Sequence, residues 1–208
     1  MKRGVLTYLR DVVPVRPLTQ NEAYRIAELQ VDRLLKLTAL DNPPVPVERL
    51  IQDIPKVNVR YVTPFPLSGC TEWIGSAWNI TVSASEPKTR QRFTLAHEFK
   101  HVLDNRYIDL LYPDFFGMNS QERAERVCDY FAGCLLAPKR WLRDVWTSGV
   151  QSPVAIARIF DVSTAAVEVR LSQTGLVRRR LRCDKSSSLS TARYYRLGTM
   201  VTACEVAA

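Results

Sequence analysis

Apolar positions follow two rhythms along this chain. In TQNEAYRIAELQVDRLLKLTAL, beginning at Thr19, residues Ala23, Ile26, Ala27, Val31 and Leu34 fall near one face of a 3.6-residue period, which predicts an amphipathic helix. Thr19 with Glu22 three residues later forms a capping box at its start. Asp41-Asn42-Pro43-Pro44 stops it, and a short second helix is expected over Val47 to Ile54, after prolines suited to a first turn. The period then falls to two. Val57, Val59 and Tyr61 alternate with polar neighbours, as do Trp78, Ile80 and Val82, and both runs read as strands. Gly69, Gly75 and Ser76 supply turn chemistry around them, so a small antiparallel sheet is expected.

Helical spacing resumes from about Pro87 to Leu103, followed by a loop rich in Tyr, Pro and Gly over Tyr107 to Met118. Asn119, with Glu122 three residues on, caps a further helix that Pro138 interrupts. Beyond it, SPVAIARIFDVSTAAVEVRLSQTGL reads as two short helices with a tight turn at Asp161-Val162-Ser163. The pattern as a whole predicts an α+β fold, mostly helical, with one small sheet.

Composition narrows the class. A chain of 208 residues, 46% hydrophobic and 24% charged, is that of an ordinary globular protein of one domain, or of one domain and a small appendage. No run of about 18 apolar residues is present, so no membrane partner is expected. The stretch MKRGVLTYLRDVVPVRP is a poor secretory signal, broken by Arg10, Asp11 and Pro14, which points to the cytoplasm. Cys70, Cys128, Cys134, Cys183 and Cys204 form no CxxC pair and no disulfide framework. Of the net charge of +8, residues from 178 onward carry +5, seven basic side chains against Asp184 and Glu205. Arg178, Arg179, Arg180 and Arg182 are candidate DNA contacts, although the SSSLS run at Ser186 to Ser190 favours a solvated, flexible tail.

The chemistry lies in RQRFTLAHEFKHVLD, beginning at Arg90. Its HEFKH holds the chain's only two histidines, His97 and His101. Residues four apart on a helix lie about 40° apart, one turn along, so both imidazoles can grip one ion. Zinc is the expected ion, manganese the alternative; catalytic zinc takes three protein ligands and a water. Glu98, about 100° round from His97, is placed to act on that water as general base. A third ligand must come from elsewhere. On the helix after Asn119, Glu125 and Asp129 are again four apart; Glu125 is the candidate ligand. Asp129 is the candidate acceptor for the free N–H of a ligating histidine.

The run RQRFTLAHEFKH followed by ERVCDYFAGCLLAP resembles the ImmA/IrrE metallopeptidases, as does the upstream LSGCTEWIGSAWNITVS, over roughly residues 20–175. The resemblance implies zinc ligands at His97, His101 and Glu125, Glu98 as base, and a thermolysin-like arrangement in which Asp129 supports a histidine. Departures are Phe99 for the usual leucine, Lys100 for glycine, Cys128 for alanine and Asp129 for a frequent asparagine. Lys100 is expected to add a cation near the cleft. Thermolysin-like enzymes also use a histidine or tyrosine on the oxyanion; with no histidine left, a tyrosine such as Tyr107, Tyr112 or Tyr130, or else an arginine, is the candidate. The family further implies endopeptidase cleavage of a DNA-binding helix-turn-helix repressor encoded nearby, derepressing prophage, mobile-element or stress-response genes.

The resemblance and the residue pattern together divide the chain into an N-terminal extension (1–17), a zinc metallopeptidase domain (18–139), a helix-turn-helix-like segment (140–177) and a basic tail (178–208). Within the third part, Val167 and Leu171 point inward on the second helix, leaving Thr164, Ala165, Glu168 and Ser172 outside. That face lacks the Arg, Lys, Asn and Gln that read base edges, and Glu168 repels phosphate, so the pair is expected to be structural. The competing reading is a non-enzymatic DNA-binding regulator with a structural metal.

Overall fold

In the computed structural model of the chain, residues 4–114 and 117–177 are described. A short helix α1 (Val5–Arg10) is followed by the long α2 (Gln20–Leu37) and by α3 (Val47–Gln52). The capping box opens α2: Glu22 N–H donates to Thr19 Oγ1 at 3.3 Å and Thr19 N–H to Glu22 Oε2 at 2.9 Å. Its inner face is the predicted one, extended by Gln30 and Leu35. The N-terminal helix docks by burying Leu9 and by donating Arg10 to the carbonyls of Val102 and Leu103.

Strands β1 (Val57–Val62), β2 (Gly69–Ile74) and β3 (Ala77–Ser83) form one sheet in the order β1-β3-β2. The hairpin of β2 and β3 is antiparallel, closed at Gly75 with φ +62°. The wholly antiparallel sheet expected from sequence is corrected here: β1 pairs with β3 in parallel, Val59 opposite Ile80. The link over residues 63–68 contains Pro64 and Pro66, which offer no amide donors, so β1 and β2 cannot close a tight hairpin. The central position falls to β3, whose Trp78, Ile80 and Val82 enter the core.

Across this sheet lies α4 (Lys88–Asp104), which also packs against α1, α3 and α6 (Ser120–Leu136). Being covered on nearly every side, α4 must satisfy its own buried polar groups. Arg92 does so by reaching the Val45 carbonyl at 2.8 Å and Glu48 at 3.0 Å. Where a loop is expected, residues 105–112 form a one-turn 3-10 helix (Asn105–Tyr107) and then α5 (Ile108–Leu111). Ile108, Leu111 and Tyr112 recur at helical spacing, and Leu111 and Tyr112 join Leu18, Ala23, Ile26, Ala124 and Val127 in a second apolar cluster.

Pro138 separates α6 from α7 (Lys139–Thr147), after which α8 (Pro153–Phe160) and α9 (Thr164–Thr174) form the predicted pair. Asp161 takes the left-handed turn at φ 52°, a conformation that Asp tolerates better than most residues. Its carbonyl accepts from Arg92 Nε at 3.1 Å and its carboxylate lies 3.3 Å from the same nitrogen. On α9, the buried Arg170 reaches the Ala137 carbonyl at 3.3 Å and leans over Gly133, where a Cβ would stand 2.9 Å from its Cδ. The helical pair is thereby fastened to both α4 and α6. Arg178, Arg179, Arg180 and Arg182 lie outside the described residues.

Candidate metal centre

The only two histidines of the chain occupy adjacent turns of α4, facing α6. His97 is 1% exposed and His101 is partly buried. Their Nε2 atoms stand 3.2 Å apart. From α6, Glu125 brings Oε2 to 3.1 Å from His97 Nε2 and Oε1 to 3.4 Å from His101 Nε2. Donors bound at zinc distances to one tetrahedral ion lie about 3.3 Å apart. The spacing of the two nitrogens and the carboxylate therefore fits three donors to one such ion.

The supports of this triangle come from α6, and that of the neighbouring Glu98 from β2. Asp129 Oδ1 lies 2.9 Å from His97 Nδ1, which leaves Nε2 as the nitrogen turned to the centre. Gln121, one turn before Glu125 on α6, donates to Glu125 Oε1 at 2.6 Å. On the sheet side, Thr71 of β2 donates its hydroxyl to Glu98 Oε2 at 2.7 Å. Glu98 is 6% exposed, and the chain passes close enough to cover it only because residue 69 is glycine. A Cβ there would meet Thr94 Cγ2 at 2.5 Å and Glu98 Cγ at 3.0 Å. Gly69 thus opens strand β2 against α4, and the expected turn is made by Gly75 and Ser76.

The donors act on one another electrostatically. Burial favours the neutral His97 ring, but Asp129 and Glu125 outweigh it and raise its pKa to about 9. Burial also favours a protonated Glu125, which hydrogen bonds from His101 and His97 overcome, holding the carboxyl well below the usual range. A cation is what both carboxylates are arranged to meet, whether a proton on imidazole or a metal.

Cys128 is a second neighbour of the histidine pair. A nitrogen of each imidazole and Cys128 Sγ lie within 4.8 Å of one another. Its thiol is 1% exposed, and burial raises its pKa well above 9, which works against the thiolate that metals bind. Glu125, already ionised and with its oxygens at tetrahedral spacing, is the better third donor.

Lys100 does not enter the cleft. It is fully buried on the far flank of α4, donating to Gln30 Oε1 and Asp104 Oδ1, each at 2.8 Å. Tyr112, 2% exposed, donates to Asp104 Oδ2 at 2.6 Å, and burial lifts its phenol far above its ordinary range. Tyr130 donates to Glu28 at 2.7 Å and stacks on Tyr24. Tyr107 packs partly buried against the Leu18 cluster. Sequence reasoning missed Thr71, Gly69 and Gln121. Only Gln121 carries a local signal, standing four residues before Glu125 on the same helix face.

Comparison with known proteins gives the chain's family. The model of Peptidase M78, the IrrE N-terminal-like domain, matches residues 54–172. That is more than half of the chain, and the chain belongs to this metallopeptidase family. Among solved structures, it is similar to a Mycobacterium tuberculosis transcriptional regulator, with TM-score 0.58 and 16% identity. The match covers 82% of this chain and 52% of that one, so the chain spans about half the regulator's length and shares its fold over that part. No curated protein matches the chain. Among the described residues, no helix is long and apolar enough to cross a membrane.

Proposed function

We propose that the chain is a zinc-dependent endopeptidase, with His97, His101 and Glu125 as ligands and Glu98 as general base, and that it cleaves a cytoplasmic helix-turn-helix repressor. The observation that carries this reading is the convergence of His97 Nε2, His101 Nε2 and the Glu125 carboxylate at 3.1–3.4 Å, with the Glu98 carboxylate on the next position of α4. A zinc ion held by His97, His101 and Glu125 would supply Lewis acidity for water and for the scissile carbonyl. Asp129 holds His97 in the tautomer that offers Nε2. Thr71 holds one oxygen of Glu98. The Glu98 carboxylate takes the proton from the attacking water and delivers it to the departing amine. The tyrosines contribute little to this scheme, since Tyr112 and Tyr130 have their hydroxyls bonded to Asp104 and Glu28. A repressor as substrate is supported by the resemblance carried by the two motifs and by the regulator-like fold. Its cleavage derepresses a mobile-element, prophage or stress-response gene.

The test is cleavage of the repressor encoded beside this gene by the full chain, with and without chelator. Glu98→Gln is expected to retain one metal ion per chain and to leave the repressor intact. Cutting by that variant at the rate of the native protein would refute the mechanism.

A further inference from the structure

The metal centre has a neighbour that the chemistry above does not use. A groove of about 520 Å³ runs between α4, α6 and α9 and includes Asp129 in its lining. Asp129 joins the two sites, for its Oδ1 holds His97 while its side chain is 54% exposed. The apolar lining comes from Phe93, Ala166 and Val169, the last 54% exposed. Arg90 lines the α4 side and the exposed Arg126 the α6 side. A third cation, Arg170, is buried beneath them over the Tyr130 ring. Among the described residues, Asp129 is the single carboxylate of the lining, and it is engaged with His97.

The position of α9 gives the groove a further meaning. In a helix-turn-helix, the outer face of the second helix is what enters a DNA groove. Here the outer face carries Thr164, Ala165, Glu168 and Ser172, and the adjoining Ala166 and Val169 line the groove together with Phe93 of α4. The Arg92–Asp161 and Arg170–Ala137 contacts keep α9 against the body of the fold. The groove side of α9 is apolar at Ala166 and Val169, and on its outer face Glu168 is acidic and exposed, a poor surface for phosphate. An extended polypeptide carrying an apolar side chain beside an aspartate or glutamate suits both the apolar wall and the guanidinium groups.

We propose that this groove is the specificity subsite for the substrate polypeptide, receiving an apolar residue flanked by an acidic one, with α9 as its outer wall. The inference rests on the peptidase reading, but its test needs no chemistry. The full-length, zinc-loaded Glu98→Gln protein is titrated against two pools of fluorescein-labelled decapeptides, one centred on Leu-Glu and one on Leu-Lys, with anisotropy as readout. The Leu-Glu pool is expected to bind about tenfold tighter. Adding Arg126→Glu should reverse that preference, and adding Val169→Asp should weaken both pools about tenfold. Both residues are exposed, so the melting temperature should stay unchanged. Equal binding of the pools, no binding, or a preference untouched by Arg126→Glu would overturn the subsite, as would displacement of the peptides by a 20-base-pair DNA duplex. Those outcomes leave repressor cleavage untouched. Conversely, a protein that binds the Leu-Glu pool selectively and cleaves nothing would keep the groove and sink the peptidase.

Discussion

The Thr71 hydroxyl reaches Glu98 Oε2 at 2.7 Å and the Glu98 carbonyl at 3.2 Å, tying the edge strand β2 to the histidine-bearing turn of α4. On the proposal that Glu98 is the base, its carboxylate depends on a fixed direction, and this hydroxyl is a donor that sets it. Thr71→Val keeps the shape and removes the donor. Its kcat is expected to fall roughly tenfold or more, with metal content and KM little changed. Thr71→Ser should recover most of the loss. Steady-state cleavage with metal analysis of each variant decides it; a Thr71→Val protein as active as the native one would show that Glu98 is oriented otherwise.

Gly69 makes the same contact from the backbone. Gly69→Ala puts a methyl 2.5 Å from Thr94 Cγ2 and 3.0 Å from Glu98 Cγ, so strand and helix must separate by several tenths of an ångström. We expect a stability loss of about 1–3 kcal/mol by denaturant unfolding. Activity should fall more than that loss explains at temperatures where the variant is folded, because the displaced side chain is the candidate base.

Much of this architecture is written locally, and what is not depends on contacts distant in sequence. The capping boxes at Thr19 and Asn119 and the i, i+4 pairs His97/His101 and Glu125/Asp129 are set by helix geometry alone, so residue spacing suffices to find them. Spacing does not find Thr71 and Gly69, since nothing within a few residues of either says that β2 will cross α4 at Glu98. The parallel pairing of β1 with β3 is equally non-local, following from a proline-bearing link that prevents the nearer pairing. The placement of Lys100 is within reach of the same helix geometry. It is two residues after Glu98, hence about 200° round the helix. A helix that turns Glu98 to the sheet turns Lys100 towards α2 and Gln30.

That buried lysine carries a stability prediction. Lys100 and Asp104 form an ion pair at 2.8 Å with side chains 0% and 2% exposed, completed by Gln30 and Tyr112. Lys100→Met leaves the Asp104 carboxylate in the core with only the tyrosine donor, and should cost about 3–5 kcal/mol. The double variant Lys100→Met with Asp104→Leu removes both charges and should regain a large part of this. Urea unfolding measures both. Zinc content of the folded fraction should be unchanged, since the pair lies on the flank of α4 away from the donors.

Asp129→Asn tests the support of His97. The amide still accepts a hydrogen bond but carries no charge, so zinc affinity is expected to fall about 10–100-fold. Competition with a chromogenic chelator gives the value. An unchanged affinity would mean that His97 keeps its orientation from packing alone.

The same carboxylates give the metal-free protein a pH signature with a definite sign. His97 has its pKa raised to about 9 from an ordinary 6.5, with burial opposing the shift and Asp129 and Glu125 producing it. A group held above its unfolded pKa stabilises fully below that unfolded value and loses its contribution as pH rises through the folded one. The melting temperature of chelator-treated protein should therefore fall from pH 6.5 to about 9. Zinc competes with that same proton, so its affinity should rise over the same interval, with roughly one proton released per ion near neutrality. Calorimetric titration in buffers of different ionisation enthalpy counts that proton. If none is released and the metal-free melting temperature stays flat, His97 is neutral before the metal arrives, and the two carboxylates do not hold a charge on it.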